Sequence, residues 1–468
     1  MINTKLISLL SCFSRSEWRN FRAFLMSGIG GPLGKSVEFY DFLSDYYPEF
    51  NQNDLNRKQL FRELFKDHRY EDKKLRYAMT DLFKQASRFL TFNALEYHEQ
   101  ESQYLLSSEL AKRRADKAYL AGYKSDDTNQ KWDADYYFYR YREDFTHLNL
   151  YLSRQKRMAE NPIADIARNL DVFFIARKLQ LLCEIVNVRN VMAVEYDFVL
   201  QDQIISVLKN GAFADVPVIA IYFRIFMTIT EPDEKQNFHE LKELLHIHES
   251  LFRRDELRDM YQYLMNYCIK KINQGDSDYV RQLLEIYKSV IQNKVLFLGD
   301  HLSQWDYKNI VVIGIRGNEH EWVHEFLEGY KNYLLPSERE NAYIYNTAYY
   351  YFSIGDFRKS LSLLRQVDFT DLYYQLDMRA ILLKCYYEMD DQETFFYHTA
   401  AFRIFLSRNK LVSDYQRTIY RNMIKYATKL MKSNGDAEYL KTLTDEINSV
   451  KQIADINWIR KKVIEKGH

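Results

Sequence analysis

The feature that most constrains this chain is the helical spacing of its apolar residues, which continues from one end to the other. In the stretch SEWRNFRAFL, Trp18, Phe21, Phe24 and Leu25 fall on one stripe of a helix with about 3.6 residues per turn. Glycine and proline, which interrupt helices, account for only 14 and 6 of the 468 residues. A long chain with so few interruptions predicts long helices and an all-α fold.

Short polar turns recur in the second half of the chain. They lie 42, 38, 35 and 45 residues apart, each between two helical patterns. Glycine is suited to end a helix, and Asp or Asn is suited to cap the next one. Such a spacing is typical of helical hairpins that bury their apolar faces by stacking. The turns are Gly275-Asp276, Gly317-Asn318, Gly355-Asp356, Asp390-Asp391 and Gly435-Asp436.

The clearest candidate boundary is the polar, turn-rich segment GYKSDDTNQ, residues 122–130. We therefore expect a helical N-terminal region over residues 1–125. Residues 131–468 are expected to form a right-handed α-solenoid of stacked helical hairpins.

One hairpin resembles a known repeat. The segment IYNTAYYYFSIGDFRKSLSLL resembles a tetratricopeptide repeat through Ala348, Tyr351, Gly355-Asp356-Phe357, Ser360 and Leu364. The following MRAILLKCYYEMDDQETFF resembles a degenerate second copy, with its turn at the paired aspartates. The whole chain is also similar to a group of bacterial helical-repeat proteins of similar length without assigned activity. That similarity is carried by RENAYIYNTAYYYFSIGDFRKSLSLL, DADYYFYRYRED and SEWRNFRAFL.

The resemblance implies a surface that holds another protein or a peptide, and it lends no catalytic residue. Its groove-facing positions correspond here to Tyr345, Asn346 and Tyr349, where the asparagine of the family bonds the backbone of a bound peptide. The basic residues that clamp a peptide carboxylate in that family are absent from this unit. We therefore expect a non-catalytic scaffold or adaptor with no cofactor, whose partner is a protein or peptide. Exposed aromatic patches are equally compatible with a homodimer seam.

A zinc-dependent hydrolase is an alternative, because GNEHEWVHEFLEGY contains an H-E-x-x-H motif. On a helix, His320 and His324 would share one face, with Glu321 as the general base. A helical wheel places both histidines at the border of the polar face. Leu327 and Tyr330 stand where an extended motif would have its glycine and third histidine. A solvated helix face explains the motif more simply than a metal site.

Two further motifs point to phosphate or nucleic acid. GIGGPLGKS, residues 28–36, is similar to a phosphate-binding loop, but Ile29 replaces the first glycine and the preceding segment is predicted to be helical rather than a strand. DYYFYRYRE interleaves rings with Arg140 and Arg142, as single-strand binding surfaces do. Aromatic rows at helical spacing more often form interhelical core. A nucleic-acid-associated factor is therefore kept as a second alternative.

Charge and cysteine content favour a cytoplasmic protein without a membrane or nucleic-acid partner. Lys plus Arg equals Asp plus Glu, 65 against 65, so no net charge attracts polyanions. The four cysteines are scattered without a C-x-x-C pair, which fits a reducing compartment. The apolar run from Leu6 to Leu10 is too short for a signal peptide. Ser14-x-x-Glu17 predicts a capping box that starts a helix directly afterwards.

Overall fold

The structure is a computed structural model of the 468-residue chain. It describes residues 4–31, 34–50, 57–66, 69–123, 132–153, 162–191, 198–367, 369, 371–433, 437–450 and 452–467. All the regular elements in these ranges are helices, so the predicted all-α fold is confirmed. Two isolated β-bridges are also present, one between Leu298 and His301 and one between Leu302 and Leu334.

The chain divides into two compact units, Met1–Lys178 and Leu179–His468. The dividing point lies within one long helix, Ile163–Val191. The boundary segment expected from the sequence, residues 122–130, lies outside the described residues except for Gly122 and Tyr123, which end α7. The division at that segment therefore stays a prediction.

The described residues of the first unit include eight helices and most of a ninth, which continues into the second unit. They are α1 (Lys5–Leu10), α2 (Arg15–Ser27), α3 (Ser36–Ser44), α4 (Arg57–Phe65), α5 (Asp72–Tyr97), α6 (Glu99–Lys112), α7 (Asp116–Tyr123), α8 (Ala134–Ser153) and α9 (Ile163–Val191).

The start and end of α2 follow from two local signals. The Ser14 hydroxyl accepts a hydrogen bond from the Glu17 amide at 3.2 Å, and the Ser14 amide donates to the Glu17 carboxylate at 2.7 Å. This is the predicted capping box, which satisfies two backbone donors at the helix start. The helix ends at Gly28, whose φ of 70° is left-handed and favours glycine.

Aromatic rings form the centre of the first unit. Trp18 stacks on Tyr40 and Tyr47, with ring centroids 4.6 and 4.5 Å apart. The Tyr40 hydroxyl donates to the Trp18 carbonyl at 2.8 Å, so the buried phenol keeps a hydrogen bond. The stripe predicted from SEWRNFRAFL is therefore the face of α2 that packs into this core.

The helices of the second unit continue the same pattern, with 3₁₀ turns at Glu249–Leu251 and Lys331–Tyr333. They are α10 (Gln201–Lys209), α11 (Pro217–Thr230), α12 (Lys235–His248), α13 (Arg254–Asn273), α14 (Asp278–Gln292), α15 (Gln304–Arg316), α16 (His320–Tyr330), α17 (Arg339–Ser353), α18 (Phe357–Leu364), α19 (Leu372–Glu388), α20 (Gln392–Arg408), α21 (Asp414–Lys432), α22 (Ala437–Ser449) and α23 (Ile456–Gly467).

The packing order of these helices is the order of the chain. From α11 to α21 each helix packs against the next. In addition, α15 packs against α17, α17 against α19, α19 against α21 and α21 against α23. Helices α15, α17, α19 and α21 are thus the first helices of successive hairpins, and we call them the first helices below. This arrangement is compatible with a helical-repeat fold.

The predicted turns are present, although the left-handed residue varies. Gly275 and Gly355 have φ of 98° and 85°, and the Asp356 carboxylate caps α18 at the Lys359 amide. In the other two described turns, Asn318 and Asp390 take the left-handed conformation instead, with φ of 58° and 51°. Asn and Asp tolerate this region better than other side chains do. The turn Gly435-Asp436 lies outside the described residues.

At Gly317 the constraint is steric rather than conformational. Its φ is −82°, so the conformation does not require it. A Cβ there would lie 3.1 Å from Cδ2 of Leu284, so a side chain at this position would require the Leu284 methyl group to shift slightly.

No helix among the described residues has both the length and the apolar character needed to cross a lipid bilayer.

Candidate functional site

The second unit contains a row of polar side chains, carried by the first helices and by the turn before α23. We call it the polar row. It comprises Lys308 and Arg316 on α15, Tyr349 on α17, Asp377 and Lys384 on α19, Tyr420 on α21, and Asp455 in the turn before α23.

An ion pair between Lys308 and Asp377 joins α15 to α19. The other oxygen of Asp377 accepts a hydrogen bond from the Tyr420 hydroxyl at 3.0 Å, which extends the connection to α21. The side chain of Lys308 is only 14% exposed. A charge this buried is favourable only with a partner, so Asp377 fixes the relative positions of three helices.

Aromatic rings surround the ammonium group of Lys308. It lies 5.9, 5.7 and 5.0 Å from the ring centroids of Trp305, Tyr345 and Tyr374. Cation–π attraction operates at these distances. The rings and Asp377 therefore hold this lysine within the unit.

A second ion pair joins α19 to the turn before α23. Lys384 Nζ lies 2.8 Å from the Asp455 carboxylate; the lysine side chain is 6% exposed, and the aspartate side chain is 48% exposed. Burial works to lower the pKa of Lys384, but Asp455 and the nearby Tyr349 hydroxyl outweigh it, so that pKa is raised. Lys384 in turn lowers the pKa of Asp455, with a smaller contribution from Arg316. Both shifts favour the charged pair.

The three residues predicted to contact a partner lie at different depths. Tyr345 is 3% exposed, its ring packs edge-on against Tyr374 at 5.0 Å, and burial raises its pKa well above the usual value. Asn346 is fully buried; its Nδ2 donates to the Ala342 carbonyl at 2.8 Å, and its Oδ1 has no hydrogen-bond partner among the described residues. Tyr349 is half-buried. The role of all three in partner binding stays a prediction; Tyr349 is the most exposed of them.

The charged members of the polar row were not singled out from the sequence. One signal for them was present. Lys384 interrupts the apolar run ILLKCYY, and Asp377 stands two helical turns before it on the same face. A charge inside an apolar stripe indicates a buried pair, but its partner Asp455 is 71 residues away and no local pattern identifies it.

The H-E-x-x-H motif lies on α16, with His320 half-buried and His324 exposed. Both imidazoles face Tyr350: the ring centroids of His320 and His324 lie 6.4 and 5.7 Å from the ring centroid of Tyr350. Within the described residues, no group of three or more His, Cys, Asp or Glu side chains is placed to hold a metal ion. The two histidines thus border the polar face, as the helical wheel predicts.

Replacing His320 and His324 together with alanine is expected to leave the zinc content of the purified protein unchanged. Two ligands on one helix do not hold zinc tightly, because zinc sites in proteins supply three or four. Elemental analysis of both proteins after dialysis against zinc would check this. Stoichiometric zinc in the unsubstituted chain that disappears in the variant would establish a metal site.

The aromatic and basic segment on α8 packs within the first unit. Arg142 forms an ion pair with Glu101 at 2.9 Å, and its guanidinium lies 3.5 Å from the ring centroid of Tyr104. These contacts join α8 to α6. Arg142 is therefore engaged in the unit's own interhelical contacts.

The glycine-rich segment connects α2 to α3; its residues 32 and 33 lie outside the described residues. It follows a helix rather than a strand, which is the predicted departure from a phosphate-binding loop. Ser36 is buried at the start of α3, and its hydroxyl accepts a hydrogen bond from Gln85 Nε2 at 3.0 Å.

Comparison of the chain with known protein families, curated proteins and solved structures finds no match. The structure itself defines the class: an all-α protein of packed helix pairs, with charged side chains between successive first helices.

Proposed function

We propose that this protein is a non-catalytic scaffold or adaptor that binds a protein or peptide along the polar row. One observation carries the proposal. Arg316 is exposed in this row and makes no ion pair or hydrogen bond with the described residues, whereas Lys308 and Lys384 each have an aspartate. The hydroxyl of Tyr349, beside Lys384 and Asp455, has no hydrogen bond to the described residues either. Polar groups of this kind are available to a ligand.

The tetratricopeptide character and the similarity to bacterial helical-repeat proteins are part of this proposal. The order of helix contacts supports them, since stacked hairpins present their first helices side by side. A cytoplasmic location is also proposed. It is supported by the four free cysteines, of which Cys183, Cys268 and Cys385 are buried.

The charges of the row indicate the chemistry of the partner. Lys308 and Lys384 are balanced by Asp377 and Asp455, so Arg316 leaves one positive charge in excess. A guanidinium binds carboxylates with two parallel hydrogen bonds. We therefore propose an extended segment with an acidic side chain placed at Arg316, and a polar backbone group at the Tyr349 hydroxyl.

Selection of peptides from a random display library against the intact chain tests this proposal. A consensus sequence containing Asp or Glu is expected to be enriched. A synthetic peptide with that sequence should bind Arg316→Glu roughly tenfold more weakly than the unsubstituted chain, since a charge-assisted hydrogen bond is lost and a repulsion is added.

Arg358→Glu is the matched control, because Arg358 is also exposed, lies on α18 outside the polar row and has no ion pair among the described residues. The peptide affinity of this variant should be unchanged. Enrichment of no sequence, or an equal loss of affinity in both variants, would contradict binding at the polar row.

A further inference from the structure

A cleft of about 490 Å³ opens in the first unit, between the glycine-rich connector and α5. Gly34, Lys35 and Ser36 line the connector side. On the other side, one face of α5 lines the cleft over four turns, because the residues recur at intervals of three and four. The polar lining residues of α5 are Lys74, Tyr77, Asp81, Lys84, Gln85 and Arg88.

The lining carries an excess of positive charge. The residues that line the cleft include four cations, Lys35, Lys74, Lys84 and Arg88, and one carboxylate, Asp81. Lys84 makes no ion pair or hydrogen bond with the described residues and is exposed to solvent. Cations that converge on one concave space attract a compact anion.

Two of these lysines have weak competing partners. Lys35 pairs with Glu38 at 3.0 Å and Lys74 with Glu71 at 2.8 Å, and both pairs are close to half exposed. Exposed ion pairs of this kind contribute little free energy. Both ammonium groups are therefore free to turn towards a more highly charged ligand.

Part of the wall of the cleft is polar, beside the apolar side chains of Phe65 and Ala78. Ser36 and Gln85 are only 4% and 5% exposed and hydrogen-bond to each other at 3.0 Å. Arg88 Nη1 donates to the Gly30 carbonyl, which joins the connector to α5. These contacts hold the connector and α5 together on either side of the cleft, so the cationic side chains rather than this pair would recognise a ligand.

We propose that this cleft binds a small phosphorylated molecule that carries at least two phosphate groups. Its volume falls in the range of small-molecule sites, about 300–1,000 Å³. The chain has no net charge that would hold a long polyanion, so the local cluster fits a compact anion rather than a nucleic acid. Tyr77, 60% exposed, offers a ring to the organic part of the ligand. Side chains, rather than a strand-bound backbone loop, supply the recognition.

Calorimetric titration of the full chain with inorganic pyrophosphate and with ADP, each without metal ions, tests the proposal. Both probes are expected to bind at micromolar to millimolar concentration. Lys84→Glu should weaken both by roughly tenfold or more, because it replaces an attraction by a repulsion. Lys117→Glu is the matched control; Lys117 is an exposed lysine of α7 outside the cleft.

Similar affinities for the two probes would show that phosphate alone is recognised, and tighter binding of ADP would show that the organic part contributes. Either result supports the proposal. No binding of pyrophosphate at millimolar concentration, or an equal effect of the two substitutions, would overturn it. The result is independent of the peptide-binding proposal, which concerns the other unit and a different set of variants.

Discussion

Replacement of Asp455 with asparagine is expected to lower the free energy of unfolding of the second unit by about 2 kcal/mol, less than for a fully buried pair because the Asp455 side chain is 48% exposed. The reason is the burial of its partner. Lys384 is 6% exposed, and Asp455 provides its only ion pair among the described residues. Asparagine keeps the shape, and its amide oxygen can still accept a hydrogen bond, but the negative charge is lost, so the buried ammonium group no longer has an ion pair.

The backbone conformation of Asp455 should not contribute to the loss of stability. Asp455 has a φ of 50°, and asparagine tolerates the left-handed region at least as well as aspartate does. Asp390→Asn is the matched control, because Asp390 has a φ of 51° and forms no ion pair with a described lysine. Its expected effect is within about 0.5 kcal/mol.

Urea unfolding followed by far-ultraviolet circular dichroism would measure both changes, with the transition of the second unit analysed separately where the two units unfold apart. The double variant Lys384→Met, Asp455→Asn should recover most of the loss, since no unpaired charge then remains. A double variant as unstable as Asp455→Asn alone would show that the loss has another cause.

The effect of Asp455→Asn should also depend on pH. Lys384 holds the pKa of Asp455 below its usual value. The stabilising contribution of this carboxylate is therefore complete above its unfolded pKa, about 3.9, and is lost as the pH falls through the lower folded value. The unsubstituted chain and the variant should converge in stability in that acidic range.

The sequence allowed the helices to be predicted because each depends on neighbours a few residues away. The stripe through Trp18 and Phe21, the capping box at Ser14 and the turn at Gly355 are all local patterns, and the structure has each of them. Tertiary packing then decided what local patterns could not. At the turn after α15, for example, Asn318 rather than Gly317 takes the left-handed conformation, which the pairing of Gly and Asn in the sequence does not indicate.

The candidate site was less predictable for the same reason. Tyr345 and Asn346 were singled out by their place in a repeat pattern, yet their burial is set by residues such as Tyr374 on the next hairpin. The pairing of Lys384 with Asp455 joins positions 71 residues apart. A contact of that separation follows only from how successive hairpins stack, which a single sequence does not specify.

A second large effect is expected at Gly314 of α15, where α15 and α16 approach each other closely. A Cβ at this position would lie 2.4 Å from Cγ2 of Val323 and 3.2 Å from the Trp322 ring, both on α16. Val323 is fully buried, and its β-branched side chain has little freedom to rotate away. Gly314→Ala must therefore move α16, the helix that carries His320 and His324.

We expect Gly314→Ala to destabilise the second unit by about 2 kcal/mol. Overpacking of a core costs about 1–3 kcal/mol or more, and alanine recovers up to about 1 kcal/mol through its helix propensity.

Gly329→Ala on α16 separates the cost of overpacking from the gain in helix propensity, because a Cβ there meets no atom within 4 Å. That variant should be stabilised by up to about 1 kcal/mol. Thermal and urea unfolding of the two variants should thus shift in opposite directions; a shift in the same direction would mean that α15 and α16 do not pack at the distance described. Adding Val323→Ala to Gly314→Ala tests the contact directly, because removing the opposing methyl groups should make the pair less destabilised than the sum of the single changes.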